Sequence, residues 1–335
     1  MSNPIIRNEG TGRSSGAARS INTIMSGGVS DVAPHHVIAT GFEPLDSALD
    51  GGLRTGDLIL IGGLPGIGKT VATLQWARHI ASAGLPVIYA CYEHDEASLF
   101  SRLLLSEVGD LAQASGDSTS SETRRAAITA GSDPRGFSDI VQGSLVLRAA
   151  RARMQAYGDE LMLCSASPTD LDVAALDKIL TERGGNTAVL VVDHLQKVSL
   201  ANGAEQTVDD IAVELKALAM RHGIAVIGVV GASAGALGLR RLRLQHLQDA
   251  EGLGYEADLV IMLNDKITAV SNRHTAFDTV RADTFRGIVV MSIEKNRNGP
   301  SGIDLEYRKD FAHYRFNPVG AVLEEQLVDG VMVTE

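Results

Sequence analysis

The residues most able to do chemistry lie in one short segment that follows the apolar run 58–61 and reads Gly63-Leu64-Pro65-Gly66-Ile67-Gly68-Lys69-Thr70. This spacing of glycines, lysine and threonine is that of a phosphate-binding loop. Glycines let successive backbone N–H groups converge on an anion, and the helix predicted from Thr70 adds its positive end. In such a loop the lysine reaches the β- and γ-phosphates and the threonine hydroxyl binds Mg²⁺. The segment therefore predicts a site for ATP and Mg²⁺; a plain glycine-rich turn would leave the Lys-Thr pair unexplained.

Two acidic residues stand at the ends of other apolar runs. Glu93 follows the run 86–92, and Asp193 closes the run 188–193. Such runs are typical of buried parallel strands, whose carboxyl ends share one edge of a sheet. We predict that Glu93 orients or deprotonates the water that attacks the γ-phosphate, and that Asp193 holds Mg²⁺ with Thr70. The alternative for Glu93 is an exposed glutamate at a strand end without a catalytic role.

The composition limits the classes of protein to be considered. The chain has 335 residues, 44% hydrophobic, with 4% aromatic residues, a net charge of −11 and a pI near 5.3. These values indicate a globular protein and argue against a wholly basic nucleic-acid-binding surface, although a local basic channel remains compatible with them. Cys91 and Cys164 lie in apolar runs and are predicted to be reduced thiols. We find neither a signal peptide nor an apolar run long enough for a bilayer, so we expect a cytoplasmic protein without membrane contact.

The order of polar and apolar segments predicts three parts. Residues 1–36 are rich in Ser, Gly, Asn and Arg and are expected to form a disordered arm. Residues 37–316 form the ordered domain, interrupted at about 106–140 by a polar insertion that carries one short helix around 123–129. A helix is expected over 169–183, with Thr169 or Asp170 near its N-cap. Residues 317–335 form a C-terminal tail to which we assign no role.

Several segments of residues 38–316, in the expected order, resemble the ATPase half of DnaB-type replicative helicases. The approach to the loop, from Thr40-Gly41-Phe42 through Leu45-Asp46 and Gly51-Gly52-Leu53 to Gly56-Asp57, resembles RecA-type ATPase cores in general, including RadA and KaiC. More specific are three further segments: Leu99-Phe100-x-Arg102-Leu103-Leu104, Asp193-His194-Leu195-Gln196 and Lys295-Asn296-Arg297-Asn298-Gly299-Pro300. The resemblance implies a RecA-like P-loop NTPase core, a mostly parallel sheet with helices on both faces. It also implies only the C-terminal domain of such a helicase, without the N-terminal collar domain.

The resemblance implies roles for two groups of basic residues. Lys295 and Arg297 would reach the nucleotide site of the adjacent subunit and complete it in trans, with Arg297 as the arginine finger; the alternative is a tight hairpin with solvated charges. Arg240, Arg241 and Arg243 would line the central channel of a ring and contact the phosphates of single-stranded DNA. For these three arginines the alternative is a surface loop that carries a run of charge.

Two positions depart from the family pattern. His194 stands where the helicases have Tyr, and Val230-Gly231 stands where they have Ser-Gln, whose Gln links the nucleotide to the DNA loops. Our first hypothesis is an ATP- and Mg²⁺-dependent DNA helicase that forms a homo-oligomeric, hexameric ring on single-stranded DNA, with replication or recombination proteins as further partners. The alternative is a nucleotide-switched regulatory or assembly ATPase of the RecA/KaiC type without helicase activity. A recombination ATPase resembling RadA explains the 295–300 segment less well.

Overall fold

The computed structural model describes residues 20–26, 36–116, 119–132, 137–167, 170–185, 187–200, 207–248, 250–270 and 279–331. The strands in these ranges are β1 Val37–Ile38, β2 Leu53–Arg54, β3 Leu58–Gly63, β4 Val87–Cys91, β5 Leu161–Ser165, β6 Val189–Asp193, β7 Ala225–Gly231, β8 Leu259–Asp265, β9 Ile288–Asn296, β10 Ile303–Asp310, β11 Arg315–Phe316 and β12 Ala321–Val322. The helices are α1 Ile21–Ser26, α2 Leu45–Ala48, α3 Lys69–Ser82, α4 Glu96–Ser115, α5 Ser121–Ser132, α6 Phe137–Gln142, α7 Leu145–Tyr157, α8 Val173–Glu182, α9 Val208–His222, α10 Ala250–Glu256, α11 Lys266–Ala269 and α12 Thr279–Arg286. No helix in the described ranges combines the length and the apolar character that crossing a membrane requires.

One large sheet organises the described residues, in the order β11-β10-β9-β8-β3-β7-β6-β4-β5, with β12 also paired to β10. The strands from β8 to β5 in this order are parallel. The remaining strands pair antiparallel at the β8 edge. β3 lies between β7 and β8, so the phosphate loop leaves the middle of the sheet. The predicted α/β fold with a mostly parallel sheet is confirmed.

Helices cover both faces of the sheet. Alternate residues of β3 point to opposite faces, because side chains along a strand alternate. Ile59 and Ile61 belong to a core that includes Trp76 of α3 and apolar residues of α4 and α7. Leu58 and Leu60 belong to a second core, to which α8 and α9 contribute. Continuous apolar strands are therefore required by the two-sided burial, as predicted from the sequence.

The segment that approaches the phosphate loop is held by a buried carboxylate. Oδ1 of Asp46 accepts hydrogen bonds from the Thr40 backbone N–H at 2.8 Å and the Thr40 hydroxyl at 2.7 Å, and its Oδ2 accepts from the Gly41 N–H at 2.8 Å. The Thr-Gly and Leu-Asp elements of this sequence motif are thus two halves of one turn.

We predict that Asp46→Ala lowers the free energy of unfolding by about 3 kcal/mol, because three donors lose their buried acceptor. The midpoint of urea unfolding measures this change. The control is Glu182→Ala, since Glu182 is 65% exposed and lies 3.8 Å from Lys178; exposed pairs of this kind contribute about 0–1 kcal/mol. Equal midpoints for the two variants would contradict the prediction.

Two parts of the chain are more helical than we predicted. The region 106–140 was expected to hold one short helix, but α4 continues through it to Ser115 and α5 and α6 follow. Ala127 and Ala130 of α5 are buried in the core that includes α4, so small apolar residues within a polar composition supply the packing face. Within the predicted arm, the structure describes α1; the rest of 1–35, with most of the predicted disordered arm, lies outside the described residues.

The predicted start of the helix after β5 is wrong. Helix α8 begins at Val173, after the N-cap Asp172, whose Oδ1 accepts a hydrogen bond from the Ala175 N–H at 2.7 Å. Asp170 precedes this cap, and Thr169 lies outside the described residues. Several potential capping residues follow one another here, and the sequence alone did not rank them.

Candidate functional site

The phosphate loop needs its glycines for conformation and for space. Gly63, Gly66 and Gly68 have φ values of 153°, 78° and 104°. A Cβ atom on Gly68 would lie 2.6 Å from Cζ of Phe316 and 2.9 Å from Cζ of Phe311. Gly68 is also the N-cap of α3, without a side-chain capping hydrogen bond. The first turn of α3 therefore presents its N–H groups to the loop, as an anion-binding helix terminus does.

Lys69 is buried inside the loop. Its Nζ donates to the carbonyl oxygens of Gly63 at 2.9 Å and Leu64 at 3.0 Å. Burial lowers the pKa of Lys69, and the nearby carboxylates of Asp193 and Glu93 act in the opposite direction. A cation with this little hydration is well suited to pair with a phosphate.

The strand register brings the predicted acidic residues to the same edge as the loop. Cys91 pairs with Asp193, and Asp193 pairs with Val229. Gly63 pairs with Gly231 in the adjoining strand. The carboxyl ends of β3, β4, β6 and β7 are thus level, and parallel sheets bind ligands at this edge.

Asp193 is fully buried, and its two oxygens have different surroundings. Oδ2 accepts a hydrogen bond from the Tyr89 hydroxyl at 2.9 Å. Oδ1 lies 2.9 Å from Nδ1 of His194, yet it makes no hydrogen bond within the described part of the chain. Burial raises the pKa of Asp193, but His194, Thr70 and Tyr89 together outweigh this effect and hold it below its usual range. The carboxyl group is therefore charged at neutral pH.

These surroundings fit a magnesium ion. A charged, buried carboxylate oxygen without a hydrogen-bond partner is costly unless a cation compensates it. The neighbouring Thr70 hydroxyl is the second oxygen donor, and Mg²⁺ is bound in proteins by such oxygens together with water and substrate phosphates. Thr70 and Asp193 are therefore the residues that would hold the metal.

Glu93 lies beside Asp193 and is tied to two basic side chains. Its Oε1 is 3.1 Å from Nζ of Lys197, and its Oε2 is 3.4 Å from Nδ1 of His194. The Glu93 side chain is 35% exposed, so water reaches it. His194, which stands where the helicases have Tyr, lies between the two carboxylates of the candidate site.

A cleft of about 500 Å³ joins these groups. The predicted site residues that line it are Pro65, Gly66, Gly68, Lys69, Thr70 and Glu93, and Asp193 lies behind the lining residue His194. The lining also includes residues that we had not predicted: Arg102, Lys197, Gln248, Phe311 and Tyr314.

The aromatic residues of the cleft come from a distant part of the chain. Phe311 and Tyr314 belong to the short segment between β10 and β11, more than 200 positions after the loop. The guanidinium carbon of Arg102 lies 5.2 Å from the centre of the Tyr314 ring. No local motif indicated that these side chains would reach the loop.

Lys295 and Arg297 lie at the opposite edge of the sheet from the cleft. β9 runs antiparallel to β8, so Asn296 pairs with Leu259, which itself pairs with Ile59 at the start of β3. Gly63, at the end of β3, is four residues further on, about 13 Å away along the strand. The two basic residues are therefore remote from the phosphate loop of their own chain.

The end of α10 holds both of these side chains. Nζ of Lys295 donates to the carbonyl oxygens of Gly254 at 2.7 Å and Tyr255 at 3.1 Å. Nη1 of Arg297 donates to Oδ1 of Asp258 at 3.1 Å, and Nη2 donates to the Tyr255 carbonyl. Arg297 is still 42% exposed. The basic pair is thus fixed at the surface rather than loosely solvated.

The three arginines that we predicted to contact DNA have different surroundings. Arg240 donates to the carbonyl oxygens of Thr268 and Val270 at 3.1 and 2.8 Å. Arg241 is buried and donates to Oδ1 of Asp304 at 2.7 Å. Arg243 is 35% exposed. Arg240 therefore anchors the loop to the end of α11 and Arg241 anchors it to β10, and the side chain of Arg243 is more accessible than that of Arg241.

The C-terminal tail lies on the loop that carries Arg240, Arg241 and Arg243, which we call the arginine loop. Nε and Nη2 of Arg243 donate to the two carboxylate oxygens of Asp329 at 3.1 and 3.0 Å. The backbone N–H of Arg240 donates to the Gly330 carbonyl at 2.8 Å. The pKa of Arg243 is raised, and its hydrogen bond to Asp329 is the largest cause. Asp329 thus occupies the guanidinium face that a phosphate would use.

Sequence comparison identifies a family. The model of the DnaB-like helicase C terminal domain matches residues 37–316. The replicative DNA helicase DnaB of Leifsonia xyli subsp. xyli is 26% identical over 274 residues, which cover 79% of this chain and 52% of that protein. The DNA repair protein RadA of Aquifex aeolicus is 49% identical over 59 residues, 18% of this chain and 13% of that protein. The chain thus spans about half the length of the DnaB relative and a small part of the RadA relative.

Structural comparison gives the same fold. A solved ATPase domain matches with a TM-score of 0.64 and 17% identity, over 88% of this chain and 95% of that one. A DnaB-like replicative helicase, solved in a study of its interactions with primase, matches with a TM-score of 0.65 and 16% identity, over 88% of this chain and 66% of that one. The predicted RecA-like fold is confirmed.

Proposed function

This chain belongs to the DnaB-like helicase C-terminal domain family, and from that premise we propose that it is the ATPase core of a DNA helicase. The proposed protein is a homo-oligomeric ring that hydrolyses ATP between subunits and moves on single-stranded DNA. One observation carries the proposal: the phosphate loop, Asp193 and Glu93 converge on one cleft, while Lys295 and Arg297 lie at the far edge of the same sheet. A site divided in this way is complete only where two copies meet.

Nucleotide binding is assigned to the loop and to the start of α3. The backbone from Gly63 to Gly68 and the Nζ of Lys69 would contact the phosphates, and Thr70 with Asp193 would hold Mg²⁺. The metal, when bound, would neutralise charge on the β- and γ-phosphates. Binding requires Lys69 to exchange its two carbonyl acceptors for phosphate oxygens. Because the lysine is already dehydrated, this exchange costs less than moving a solvated cation would.

Hydrolysis is assigned to Glu93 and to the basic pair of the adjacent subunit. Glu93 would accept a proton from the attacking water, and Lys197 would hold its carboxylate in place. Arg297 of the next subunit would stabilise the charge that develops on the transferred phosphoryl group, with Lys295 beside it. The hydrogen bonds from Arg297 to Asp258 and to the carbonyls of α10 would set the direction of this guanidinium.

The base of the nucleotide is assigned to the aromatic side of the cleft. Tyr314 and Phe311 offer ring faces near the loop, and Arg102 already packs over Tyr314. Planar bases stack on such surfaces with little sequence preference.

DNA is assigned to the arginine loop, with Arg243 as the principal phosphate contact. Arg240 and Arg241 would hold the loop in place through their contacts with the end of α11 and with β10. Phosphate would displace the Asp329 carboxylate from Arg243, since both bind a guanidinium in the same bidentate way. Primase and other replication proteins, by analogy with the DnaB-like helicase above, are proposed partners, and the cytoplasm is the proposed location.

We predict that single-stranded DNA stimulates ATP hydrolysis and that the stimulation weakens with salt, because phosphate contacts release counterions. The half-saturating DNA concentration is measured at several salt concentrations. For Arg243→Gln, the slope of the logarithm of affinity against the logarithm of salt should fall by about 1 for each subunit in contact with DNA. Lys178→Gln is the matched control, since Lys178 is 76% exposed and lies on α8.

The alternative function makes a different prediction for the same assay. Gly231 has no side chain to link the nucleotide to DNA, and the arginine loop is already paired within the chain. A regulatory or assembly ATPase would therefore bind ATP tightly and hydrolyse it at a rate that DNA does not change. That result would replace the helicase proposal.

A further inference from the structure

A buried tyrosine lies directly behind the candidate metal site. Tyr89, in the middle of β4, has no exposed surface. Its hydroxyl donates to Oδ2 of Asp193 at 2.9 Å and lies 2.9 Å from Oγ1 of Thr73 on α3. One hydroxyl group thus connects the strand that carries Asp193 to the helix that begins with Lys69 and Thr70.

The direction of these hydrogen bonds follows from the chemistry of the groups. A charged carboxylate only accepts, so the single Tyr89 proton is committed to Asp193. The Thr73 hydroxyl must then donate to Tyr89, since its contact with the Lys69 carbonyl is longer, at 3.2 Å. A tyrosine hydroxyl carries its proton at neutral pH and therefore acts as the donor to Asp193. Thr73 therefore donates to Tyr89, and Tyr89 donates to Asp193, which is the final acceptor.

These two hydrogen bonds fix which oxygen of Asp193 is left for a ligand. A carboxylate turns easily about its last side-chain bond, so either oxygen could face the cleft. With Oδ2 engaged by Tyr89, Oδ1 is the oxygen turned toward the cleft-lining His194, 2.9 Å from its Nδ1, and it makes no hydrogen bond in the described structure. A group that orients a metal ligand in this way commonly changes metal affinity by about 10- to 100-fold.

We propose that Tyr89, supported by Thr73, is a positioning residue that orients Asp193 for Mg²⁺. The inference rests on the proposed nucleotide site and assigns to it two residues that no motif includes. In the sequence, Tyr89 is one of several apolar residues in a buried strand, and Thr73 is one position in a helix. Only the hydrogen bonds that link the Thr73 hydroxyl to Tyr89 and the Tyr89 hydroxyl to Asp193 distinguish them from ordinary core residues.

The test compares two tyrosines, Tyr89 within β4 and Tyr92 just after it. Tyr89→Phe removes the hydroxyl and keeps the ring, so the packing volume is retained. Tyr92→Phe is the matched control, because Tyr92 is also buried but donates to the Leu171 carbonyl, away from the cleft. The full chain is titrated with Mn²⁺ in the presence of ADP, and bound metal is read by electron paramagnetic resonance. Binding of fluorescent ADP without metal is measured in parallel.

For Tyr89→Phe we expect the dissociation constant of Mn²⁺ to rise about tenfold, with metal-free ADP binding changed less than about twofold. Tyr92→Phe should alter neither. Thr73→Val should shift Mn²⁺ binding in the same direction by a smaller factor, and it provides the measurement if Tyr89→Phe does not fold. Wild-type Mn²⁺ affinity in a folded Tyr89→Phe protein, or an equal shift in Tyr92→Phe, would overturn the inference.

The same titration separates this inference from the proposed function. If the unmodified chain binds neither ADP nor Mn²⁺, the nucleotide site itself is wrong. If it binds both and the Tyr89 variant is normal, only the positioning role fails. Thermal unfolding of all variants, followed by circular dichroism, shows whether a loss of metal binding reflects a loss of structure.

Discussion

Replacing Arg297 with alanine is expected to slow ATP hydrolysis by about a thousandfold or more, with ATP binding unchanged. An arginine finger contributes about 10³–10⁵ to the rate because it stabilises charge that is present only during transfer. The side chain lies far from the loop of its own chain, so its removal should not disturb nucleotide binding there. Hydrolysis is measured under saturating ATP, and binding by fluorescent ATP. Arg286→Ala, which removes a 65% exposed arginine of α12, is the matched control.

Mixing variants tests whether Arg297 acts between subunits. Lys69→Ala disables the phosphate loop, and Arg297→Ala disables the finger. In a mixed ring, an intact loop from the Arg297 variant can meet an intact finger from the Lys69 variant. We expect the mixture to recover activity that neither variant has alone. A mixture as inactive as its components, with assembly intact, would show that Arg297 does not act in trans.

Replacing Glu93 with glutamine is expected to slow hydrolysis by about 10²–10⁴-fold, the usual contribution of a general base. The amide keeps the shape of the side chain but cannot take a proton from water. ATP should still bind, since Glu93 is not among the groups assigned to the phosphates. Single-turnover hydrolysis measures the chemical step directly.

The control for Glu93 is the nearby Glu96→Gln. Glu96 begins α4 and accepts a hydrogen bond from the Ser165 N–H at 3.2 Å, outside the cleft. The substitution makes the same charge change a few residues away. A similar loss of rate in both variants would mean that general electrostatics, and not proton transfer at Glu93, controls hydrolysis.

The strands and the site residues at their ends were predictable because they follow from local rules. A buried parallel strand must be apolar on both faces, and Asp193 and Glu93 end two such strands. Strand order and register could not be obtained in this way. Strand order and register place Lys295 and Arg297 at the edge of the sheet away from the phosphate loop, because β9 is antiparallel to β8.

Residues distant in sequence account for what the sequence did not predict. Tyr314 reaches the cleft because β10 and β11 bring it there, and Arg241 is buried against Asp304 of β10, 63 positions later in the sequence. Neither pairing has a local signature. The helical content of 106–140 was missed because the packing residues of α5 are alanines, which a hydrophobic pattern based on large side chains does not detect.

The position of Lys295 and Arg297 on the sheet makes the contact between two copies asymmetric. Each chain offers a loop at one edge and Arg297 at the other, so two copies cannot complete each other's sites through one symmetric contact. Such a head-to-tail contact forms a ring where the rotation between neighbours closes, and an open filament where it does not. In an open row of subunits, the phosphate loop of one end subunit has no Arg297 from a neighbour. Closure of the ring supplies the missing arginine. We therefore expect the hydrolysis rate per subunit to rise with protein concentration and to level off once the rings are closed.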